Sequence, residues 1–399
     1  MKIESIRLKN FKAFKETLMS DIPKLCVIVG ANGTGKTTFF DVFDFLKEAY
    51  KDNISQALNR RGGFREVKSR NSDGPIEIEL KLSDTSFKHP LSYFISIEDE
   101  NGTPIIKREK FGSVLEFSRG QGFVVTNELE PQIELNVASS GTKFQREEQT
   151  LARPDLLAIK GLAQFQKFPV IMKLGSLIEN WHVSDFHINS AKQIQENGSA
   201  EHLSREGENL SLVTHRLYER YPTIFNDILE KLKQRVPGIN SVAAKVTEEG
   251  RVLLKFKEGH FKDPFLARHI SDGTLKMFAY FVLLYDSFPH PLLCVEEPEN
   301  QLYPKLLWEL AEEFRMYANR GGQVFISTHS PDFLNALELD EVFWLIKNDG
   351  YTTLKRARED EQVAAFMAEG NQMGYLWKQG FFNGVDPQPG ERPGMAPTP

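Results

Sequence analysis

The chain has 399 residues, of which 40% are hydrophobic and 26% charged, and its formal net charge at pH 7 is −6. This length allows a large core, and this composition is that of a folded globular protein rather than a disordered one. The longest apolar run, residues 277–285, is far shorter than the roughly 20 residues of a membrane-spanning helix. The first residues lack the apolar stretch of a signal peptide, so we expect a cytoplasmic protein that does not bind membranes.

The acidic balance argues against a generally basic nucleic-acid-binding surface. Arginine and lysine do cluster over residues 60–70. We interpret this cluster as a solvent-facing surface, and local nucleic-acid binding stays open as an alternative. The two cysteines, Cys26 and Cys294, each lie in a short apolar run and are interpreted as buried side chains rather than a disulfide.

The first predicted elements are a strand over residues 25–29 and a helix over 37–50, whose apolar side chains recur at helical spacing. Between them, the sequence Gly-Ala-Asn-Gly-Thr-Gly-Lys-Thr at 30–37 matches the phosphate-loop pattern in full. Glycines let backbone amides turn toward phosphates, and the helix start adds the positive end of its dipole.

This loop predicts ATP as ligand and Mg²⁺ as cofactor. Lys36 is predicted to reach the β- and γ-phosphates, and Thr37 to ligate Mg²⁺. The residues predicted to bind the nucleotide in this segment are Gly30, Ala31, Asn32, Gly33, Thr34, Gly35, Lys36, Thr37 and Thr38.

The hydrophobic periodicity changes twice in the middle of the chain. Residues 76–126 alternate apolar and polar side chains and include an Asn101-Gly102 turn, which predicts an antiparallel β subdomain. Residues 144–236 are dominated by helical patterns without sustained heptads, which predicts a compact helical insertion. We therefore predict an N-terminal lobe over 1–143 and an insertion over 144–240.

The chain then returns to an α/β pattern. Apolar strands at 292–295 and 324–327 flank a helix at 304–318, as in a parallel crossover, and a hairpin is predicted over 342–354. Prolines cluster after residue 384. We predict a second lobe over 241–384 and a disordered tail over 385–399.

Two adjacent carboxylates follow the strand at 292–295, in the sequence Leu-Leu-Cys-Val-Glu-Glu-Pro-Glu. Ligands collect at the carboxyl ends of parallel strands, so we interpret this segment as a Walker B motif. Glu296 is predicted to ligate Mg²⁺, and Glu297 to polarise the attacking water. The alternative is that these residues only cap the following helix.

Two further motifs, one after a predicted strand and one at the start of a predicted helix, are of the kind that contacts a bound nucleotide. His329 ends the next strand, in Ile-Ser-Thr-His-Ser-Pro at 326–331, and is predicted to hydrogen-bond the γ-phosphate and the water. Ser-Asp-Gly-Thr at 271–274 opens a helix. Alone this would be an ordinary N-cap by Ser271 or Asp272, but in series with the other motifs it holds the position of an ABC signature.

This order of motifs resembles the ABC-type ATPase heads related to the SMC, RecF and OLD proteins, often labelled AAA_21 or AAA_15. The resemblance extends to segments at 9–14, 207–210, 236–239 and 374–380. It implies an α/β ABC-type ATPase head, with a mixed or parallel sheet core, an antiparallel β subdomain and a helical insertion.

The resemblance also implies roles for residues. In such heads ATP binds between two subunits, so Ser271 and Gly273 would contact the γ-phosphate held by the opposite protomer. Lys12 and Phe14 would lie near the nucleotide. Asn300 would sit in the loop that crosses the dimer interface.

The sequence departs from the pattern of these heads at three places. The metal-side carboxylate is Glu296 where ABC proteins generally have aspartate, and Tyr303 stands where relatives commonly have histidine. The glutamine of the Q-loop is not assigned, since Gln121, Gln132 and Gln145 are all candidates.

We predict a dimeric or higher-order ATP-driven switch or motor that controls a partner, as in defence against phage. The sequence contains no Cys/His spacing typical of a metal site and no second catalytic constellation, so the partner is predicted to be a separately encoded nuclease or toxin-like effector. The alternatives are a RecF- or SMC-like DNA-binding ATPase in DNA repair, and a nucleotide-binding scaffold with negligible turnover. A transporter subunit and an OLD-type nuclease are disfavoured.

Overall fold

The computed structural model describes residues 1–86, 89–112, 115–118 and 153–384, and of residues 122–125 and 147–149 only the strand backbone. Within these ranges, no helix is both long enough and apolar enough to cross a membrane. The strands in chain order are β1 (Lys2–Phe11), β2 (Phe14–Met19), β3 (Leu25–Val29), β4 (Ile76–Ser83), β5 (Leu91–Glu100), β6 (Thr103–Phe111), β7 (Leu115–Ser118), β8 (Gly122–Val125), β9 (Glu147–Gln149), β10 (His182–Ser184), β11 (Gln195–Glu196), β12 (Ile239–Val246), β13 (Arg251–Glu258), β14 (Phe265–Leu266), β15 (Leu292–Glu296), β16 (Gln323–Thr328), β17 (Val342–Asn348) and β18 (Tyr351–Arg356).

The helices in chain order are α1 (Lys36–Lys51), α2 (Ile54–Asn59), α3 (Phe64–Val67), α4 (Ala158–Leu162), α5 (Pro169–Glu179), α6 (Ile188–Ala191), α7 (Leu210–Arg220), α8 (Pro222–Arg235), α9 (Asp272–Leu284), α10 (Pro304–Asn319), α11 (Pro331–Leu334), α12 (Glu361–Ala368) and α13 (Met373–Lys378). The chain divides into two compact units: Met1–Asn180 with Glu338–Pro399, and Trp181–Leu337.

The first unit contains an antiparallel sheet in the order β2-β1-β4-β5-β6-β7-β8-β9. Its alternating pattern places apolar side chains on one face, and Ile78 of β4 pairs with Ile95 of β5. Asn101 and Gly102 connect β5 to β6 with φ of +54° and +85°, as expected of a two-residue hairpin turn. The predicted antiparallel sheet is therefore present.

The first unit also carries the strand and helix on either side of the glycine-rich loop. Strand β3 is buried along its whole length and pairs in parallel with β17, which forms a hairpin with β18. Helix α1 buries the face that carries Phe39, Val42, Phe43 and Leu46. The predicted terminal hairpin is confirmed.

The second unit contains three parallel strands in the order β10-β15-β16. Strands β15 and β16 are fully buried, and α10, which begins with Pro304 in its first turn, connects them. Strand β13 pairs with β11, β12 and β14 in a separate antiparallel sheet. The parallel pair predicted for residues 292–295 and 324–327 is confirmed.

The chain is thus mixed α/β, as predicted. Cys26 and Cys294 are free and buried, which confirms their interpretation as core side chains. Residues 153–240 carry α4 to α8 together with the short strands β10 and β11, and the boundaries at 143, 240 and 384 stay predictions. The tail over 385–399 lies outside the described residues.

Candidate functional site

The glycine-rich loop joins β3 to α1 in the first unit, and its glycines are needed for backbone conformation at two positions and for space at a third. Gly33 and Gly35 have φ of +80° and +109°, a left-handed conformation that favours glycine. A Cβ atom on Gly30 would lie 2.3 Å from Oγ1 of Thr34, so no larger residue fits there. The glycines of the motif therefore follow from the loop's own geometry.

Lys36 begins α1 and directs its ammonium group back onto the loop. Its Nζ atom donates a hydrogen bond to the carbonyl oxygen of Gly30 at 2.7 Å, and only 7% of the residue is exposed. A buried ammonium group beside the N-terminus of a long helix concentrates positive charge at the loop. This charge suits a polyphosphate ligand.

Side-chain donors hold the carbonyl oxygens of the loop. Oγ1 of Thr34 donates to Ala31 at 2.8 Å, Oγ1 of Thr352 to Thr34 at 2.7 Å, and Nζ of Lys347 to Gly33 at 2.9 Å. Because these donors come from the loop itself and from β17 and β18, the protein alone orders the loop. A triphosphate would meet a preformed cradle, which lowers the entropic cost of binding.

The remaining residues predicted to bind nucleotide in the loop lie at its rim. Asn32 and Thr37 are exposed, and Thr38 is half-buried in the first turn of α1. Thr37 directly follows Lys36, and its side chain is exposed. A hydroxyl oxygen at this position is the ligand that Mg²⁺ next to the phosphates requires. The loop therefore fits both ATP and its cation.

Lys12 and Phe14 differ in their surroundings. Nζ of Lys12 lies 2.5 Å from Oδ2 of Asp41 in α1. Phe14 is fully buried, and its ring packs edge-on against Phe39 with centroids 6.1 Å apart. Lys12 thus contacts the helix that follows the loop, whereas Phe14 is a core side chain of the first unit.

In the second unit, Glu296 ends β15 as a nearly buried carboxylate with 8% exposure. Its Oε1 atom accepts a hydrogen bond from Nη2 of Arg205 at 3.0 Å. Sequence analysis did not identify Arg205, and no local motif connects it to β15. A cation at Glu296 would have to share this oxygen with the guanidinium group.

Glu297 follows in a left-handed conformation, with φ of +40°, which is unusual for a residue other than glycine. Its backbone N–H donates to the carbonyl oxygen of Ser327 in β16 at 3.0 Å. Oε1 lies 3.2 Å from Nδ1 of His329, and Oε2 accepts from Nδ2 of Asn300 at 3.2 Å. The two predicted catalytic side chains of this unit, Glu297 and His329, are therefore in contact.

Glu299 is a functional candidate that sequence analysis did not assign. Its Oε1 atom accepts from Oγ1 of Thr328 at 2.6 Å and from the backbone N–H of His329 at 3.0 Å. The carboxylate is nearly buried, with 9% exposure. Because it binds the backbone of His329, Glu299 positions the loop that presents the imidazole.

Lys276 is a second residue that sequence analysis missed. It lies in α9 with 3% exposure, among the apolar side chains of an almost wholly buried helix. Burial lowers the pKa of its ammonium group to about 8, and nearby Glu299, Asp185 and Glu297 oppose this shift. A lysine within an otherwise apolar helical run was the signal available in the sequence.

The Ser-Asp-Gly-Thr segment opens α9, as predicted. Ser271 is the N-cap, and its Oγ atom accepts from the backbone N–H of Thr274 at 3.3 Å. Ser271 is exposed. At Gly273 there is little space for a side chain, because a Cβ atom would lie 3.0 Å from the carbonyl oxygen of Gln301. Gly273 therefore has a local packing role besides any contact with a ligand.

The three candidate Q-loop glutamines, Gln121, Gln132 and Gln145, lie outside the described residues. Tyr303 is 69% exposed and precedes α10 as its N-cap.

A family model named AAA_21 and described as "AAA domain, putative AbiEii toxin, Type IV TA system" matches residues 25–335. The chain belongs to the AAA_21 family. The matched region of this AAA_21 protein runs from β3 past His329, so it includes the glycine-rich loop, the start of α9 and both carboxylates at the end of β15. No curated protein matches the AAA_21 chain.

Solved structures support the same fold for this AAA_21 protein. One is an SmcHead bound to the C-winged helix domain of ScpA, with a TM-score of 0.57, 14% identity, and coverage of 89% of this chain and 98% of that one. Another is an Smc head domain with an extended coiled coil, bound to the C-terminal domain of ScpA derived from Pyrococcus furiosus. It has a TM-score of 0.53, 12% identity, and coverage of 92% and 98%. The fold is that of an SMC ATPase head, which confirms the predicted fold class.

Proposed function

We propose that this AAA_21 protein binds Mg·ATP and hydrolyses it. The observation that carries the proposal is the contact between Glu297 and His329, at 3.2 Å, in a chain that also has a preformed phosphate loop. In this proposal Lys36 holds the β- and γ-phosphates while the backbone of the loop surrounds them. Thr37 and Glu296 hold Mg²⁺, which when bound supplies charge neutralisation on the phosphate oxygens.

Glu297 acts in this proposal on the attacking water. Phosphoryl transfer needs mainly positioning and charge stabilisation, and the carboxylate of Glu297 is held from two sides. Asn300 donates to one of its oxygens, and the imidazole of His329 lies beside the other. His329 would also hydrogen-bond the γ-phosphate, so one side chain would connect the water-positioning carboxylate to the reacting group.

We further propose that two heads close on ATP. Ser271 is exposed at the start of the 13-residue helix α9, where backbone N–H groups and the helix dipole attract anions. In the proposed dimer, Ser271 and Gly273 contact the γ-phosphate held by the opposite protomer. Asn300 is exposed in the loop after Glu297 and would lie at the same interface.

The proposed output is control of a separately encoded effector of nuclease or toxin-like kind, in defence against phage. The family description names a toxin and a type IV toxin–antitoxin system, and the two Smc heads are bound to domains of another protein, ScpA. Both support a head that works through a partner. The net charge of −6 counts against the alternative of a DNA-binding ATPase in repair.

The test of this function is phosphate release by the purified chain. We expect turnover with Mg²⁺ that is lost in EDTA, and no cleavage of plasmid, linear DNA or RNA with Mg²⁺ or Mn²⁺. Strong stimulation of turnover by duplex DNA would favour the repair alternative. If the purified chain cleaves nucleic acid, and a substitution outside the proposed ATP site abolishes that cleavage, the separate-effector proposal is contradicted.

A further inference from the structure

Three side chains of metal-ligand type that take no part in the proposed ATP site meet in the second unit. His202 lies between β11 and α7, while Asp286 and His290 lie in the connection from α9 to β15. Each offers one ligand atom, and these atoms all lie within 4.8 Å of one another. We call them the histidine–aspartate cluster. Sequence analysis found no metal spacing because His202 is far from the other two residues along the chain.

The cluster lies at the edge of the protein interior. Asp286 and His290 are buried, with 8% and 5% exposure, and the side chain of His202 is 30% exposed. Nδ1 of His202 lies 2.8 Å from Oδ2 of Asp286, and the rings of His202 and His290 have centroids 4.5 Å apart. The three groups therefore converge from two separate segments of the chain.

Hydrogen bonds fix the backbone beneath His202. Nδ2 of Asn209 donates to the carbonyl oxygen of His202 at 2.9 Å, and Oδ1 of Asn209 accepts from the N–H of Ser204 at 2.9 Å. The neighbouring carbonyl oxygen of Arg205 accepts from the N–H of Asp185 at 2.9 Å. The segment is thus held in place independently of any ligand.

The partners of His202 are also fixed. Oδ1 of Asp286 accepts from the N–H of Phe288 at 2.9 Å, and the hydroxyl of Tyr317 donates to the carbonyl oxygen of His290 at 2.6 Å. The ring of His182 stacks on that of His290 at 4.6 Å. Such outer contacts orient ligands in metal sites and are a large part of metal affinity.

Two imidazoles and one carboxylate form a donor set that suits zinc and neighbouring divalent transition metals, rather than Mg²⁺ or Ca²⁺, which prefer oxygen ligands. Ligand atoms around a tetrahedral zinc ion lie about 3.4 Å apart, given bonds of about 2.0 to 2.1 Å. Closing the cluster on an ion therefore needs side-chain movements of about 1 Å. The His202 side chain, which is 30% exposed, can make such a movement.

A cavity of about 560 Å³ lies against the cluster. Its lining includes Asp286 and His290, and also Tyr285, Tyr317 and Arg320. This cavity gives solvent a route to the buried side of the cluster. A three-ligand site next to such a space would keep a coordination position for water.

We propose that His202, Asp286 and His290 bind one divalent transition-metal ion of the zinc class. The ion ties the segment of His202 to the connection between α9 and β15. Arg205, three residues after His202, donates a hydrogen bond to Glu296 at the end of β15. By holding His202, the ion also restrains the segment that carries Arg205. The proposal stands on the cluster alone and does not require ATP hydrolysis.

The test is metal uptake by the full-length protein after chelation and removal of the chelator. Equilibrium dialysis against Zn²⁺, with excess Mg²⁺ and no nucleotide, is read by elemental analysis. We expect one zinc per chain, and about 100-fold or more weaker binding in His202→Ala and in Asp286→Asn. His187→Ala is the matched control, because His187 also pairs with an aspartate, Asp185, in the same unit, but is 57% exposed.

A second readout does not depend on the variants. Co²⁺ added to the stripped wild type should give the visible bands of a four- or five-coordinate ion with nitrogen ligands, and Zn²⁺ should displace it. The proposal is overturned if the wild type takes up no zinc and shows no such bands. It is also overturned if His202→Ala binds zinc as well as the wild type, or if His187→Ala loses binding equally.

Discussion

Nδ1 of His329 lies 3.2 Å from Oε1 of Glu297, although the two residues follow different strands, β16 and β15, of the parallel sheet in the second unit. The N–H of Glu297 bonds the carbonyl oxygen of Ser327, and Glu299 bonds the N–H of His329. The backbones of both loops are therefore fixed to one another. This arrangement places the imidazole and the carboxylate side by side.

We predict that His329→Gln lowers kcat by about 100-fold, since a positioned donor or acid–base group contributes about that much. The affinity for ATP should change by no more than a few-fold, because the loop around Lys36 is untouched. Steady-state phosphate release and equilibrium binding of a labelled nucleotide separate the two effects. Tyr303→Phe, at a 69% exposed position of the same unit, serves as control. Equal kcat values for wild type and His329→Gln would refute the role.

Arg205→Gln should strengthen the apparent affinity for Mg²⁺. The guanidinium group shares Oε1 of Glu296 with any cation bound there, and solvent screens its charge because the Arg205 side chain is 45% exposed. We expect the Mg²⁺ concentration that half-saturates turnover to fall by about three- to tenfold. An unchanged or higher half-saturating concentration would mean that Glu296 is not the metal-side carboxylate.

The lowered pKa of Lys276 predicts how the free energy of unfolding depends on pH. Its pKa is about 8 in the folded chain against an ordinary value of 10.5, so between these values the unfolded state binds more protons. The free energy of unfolding should therefore rise with pH from about 8 toward 10.5, by up to about 1.4 kcal/mol per pH unit from this group. Well below pH 8 the group is protonated in both states and contributes no slope.

The measurement is urea denaturation of wild type and Lys276→Met at several pH values. The difference in unfolding free energy between them should be constant between about pH 6 and pH 7, and should change in favour of wild type as pH rises through about 8. Lys305→Met, at an exposed position of α10, is the control. Parallel profiles for wild type and Lys276→Met would contradict the lowered pKa.

Closure of two heads predicts an ATP-dependent dimer. In a Glu297→Gln background, which should retain ATP, light scattering should report a larger species with ATP than without it. Adding Ser271→Arg should abolish this change, because the long cation would block the start of α9, while nucleotide binding to the single chain persists. Ser271→Asn keeps an N-cap residue and controls for helix stability. The same oligomer with and without ATP would remove the closure argument.

Several features of the fold and the site could be predicted because short contiguous segments of the sequence determine them. The glycine-rich loop, Glu297 and His329 each follow a short apolar strand, and the parallel pairing of β15 and β16 brings the last two together. The N-cap at Ser271 and the Asn101-Gly102 turn have equally local causes.

Other features depend on tertiary contacts between distant segments. Arg205 reaches Glu296, and His202 reaches Asp286 and His290, across stretches with no shared motif. The burial of Phe14 and the lowered pKa of Lys276 also depend on what packs around them, which no local pattern encodes. Sequence analysis consequently found the chemistry at strand ends and missed the residues that surround it.

The most direct test of the central claim compares ATP binding and turnover in Glu297→Gln and Lys36→Ala. If Glu297 positions the attacking water, Glu297→Gln should bind ATP within a few-fold of wild type and lose at least about 100-fold in kcat, because it acts on the transition state. Lys36→Ala should instead lose affinity for ATP. Wild-type turnover in Glu297→Gln would contradict the account.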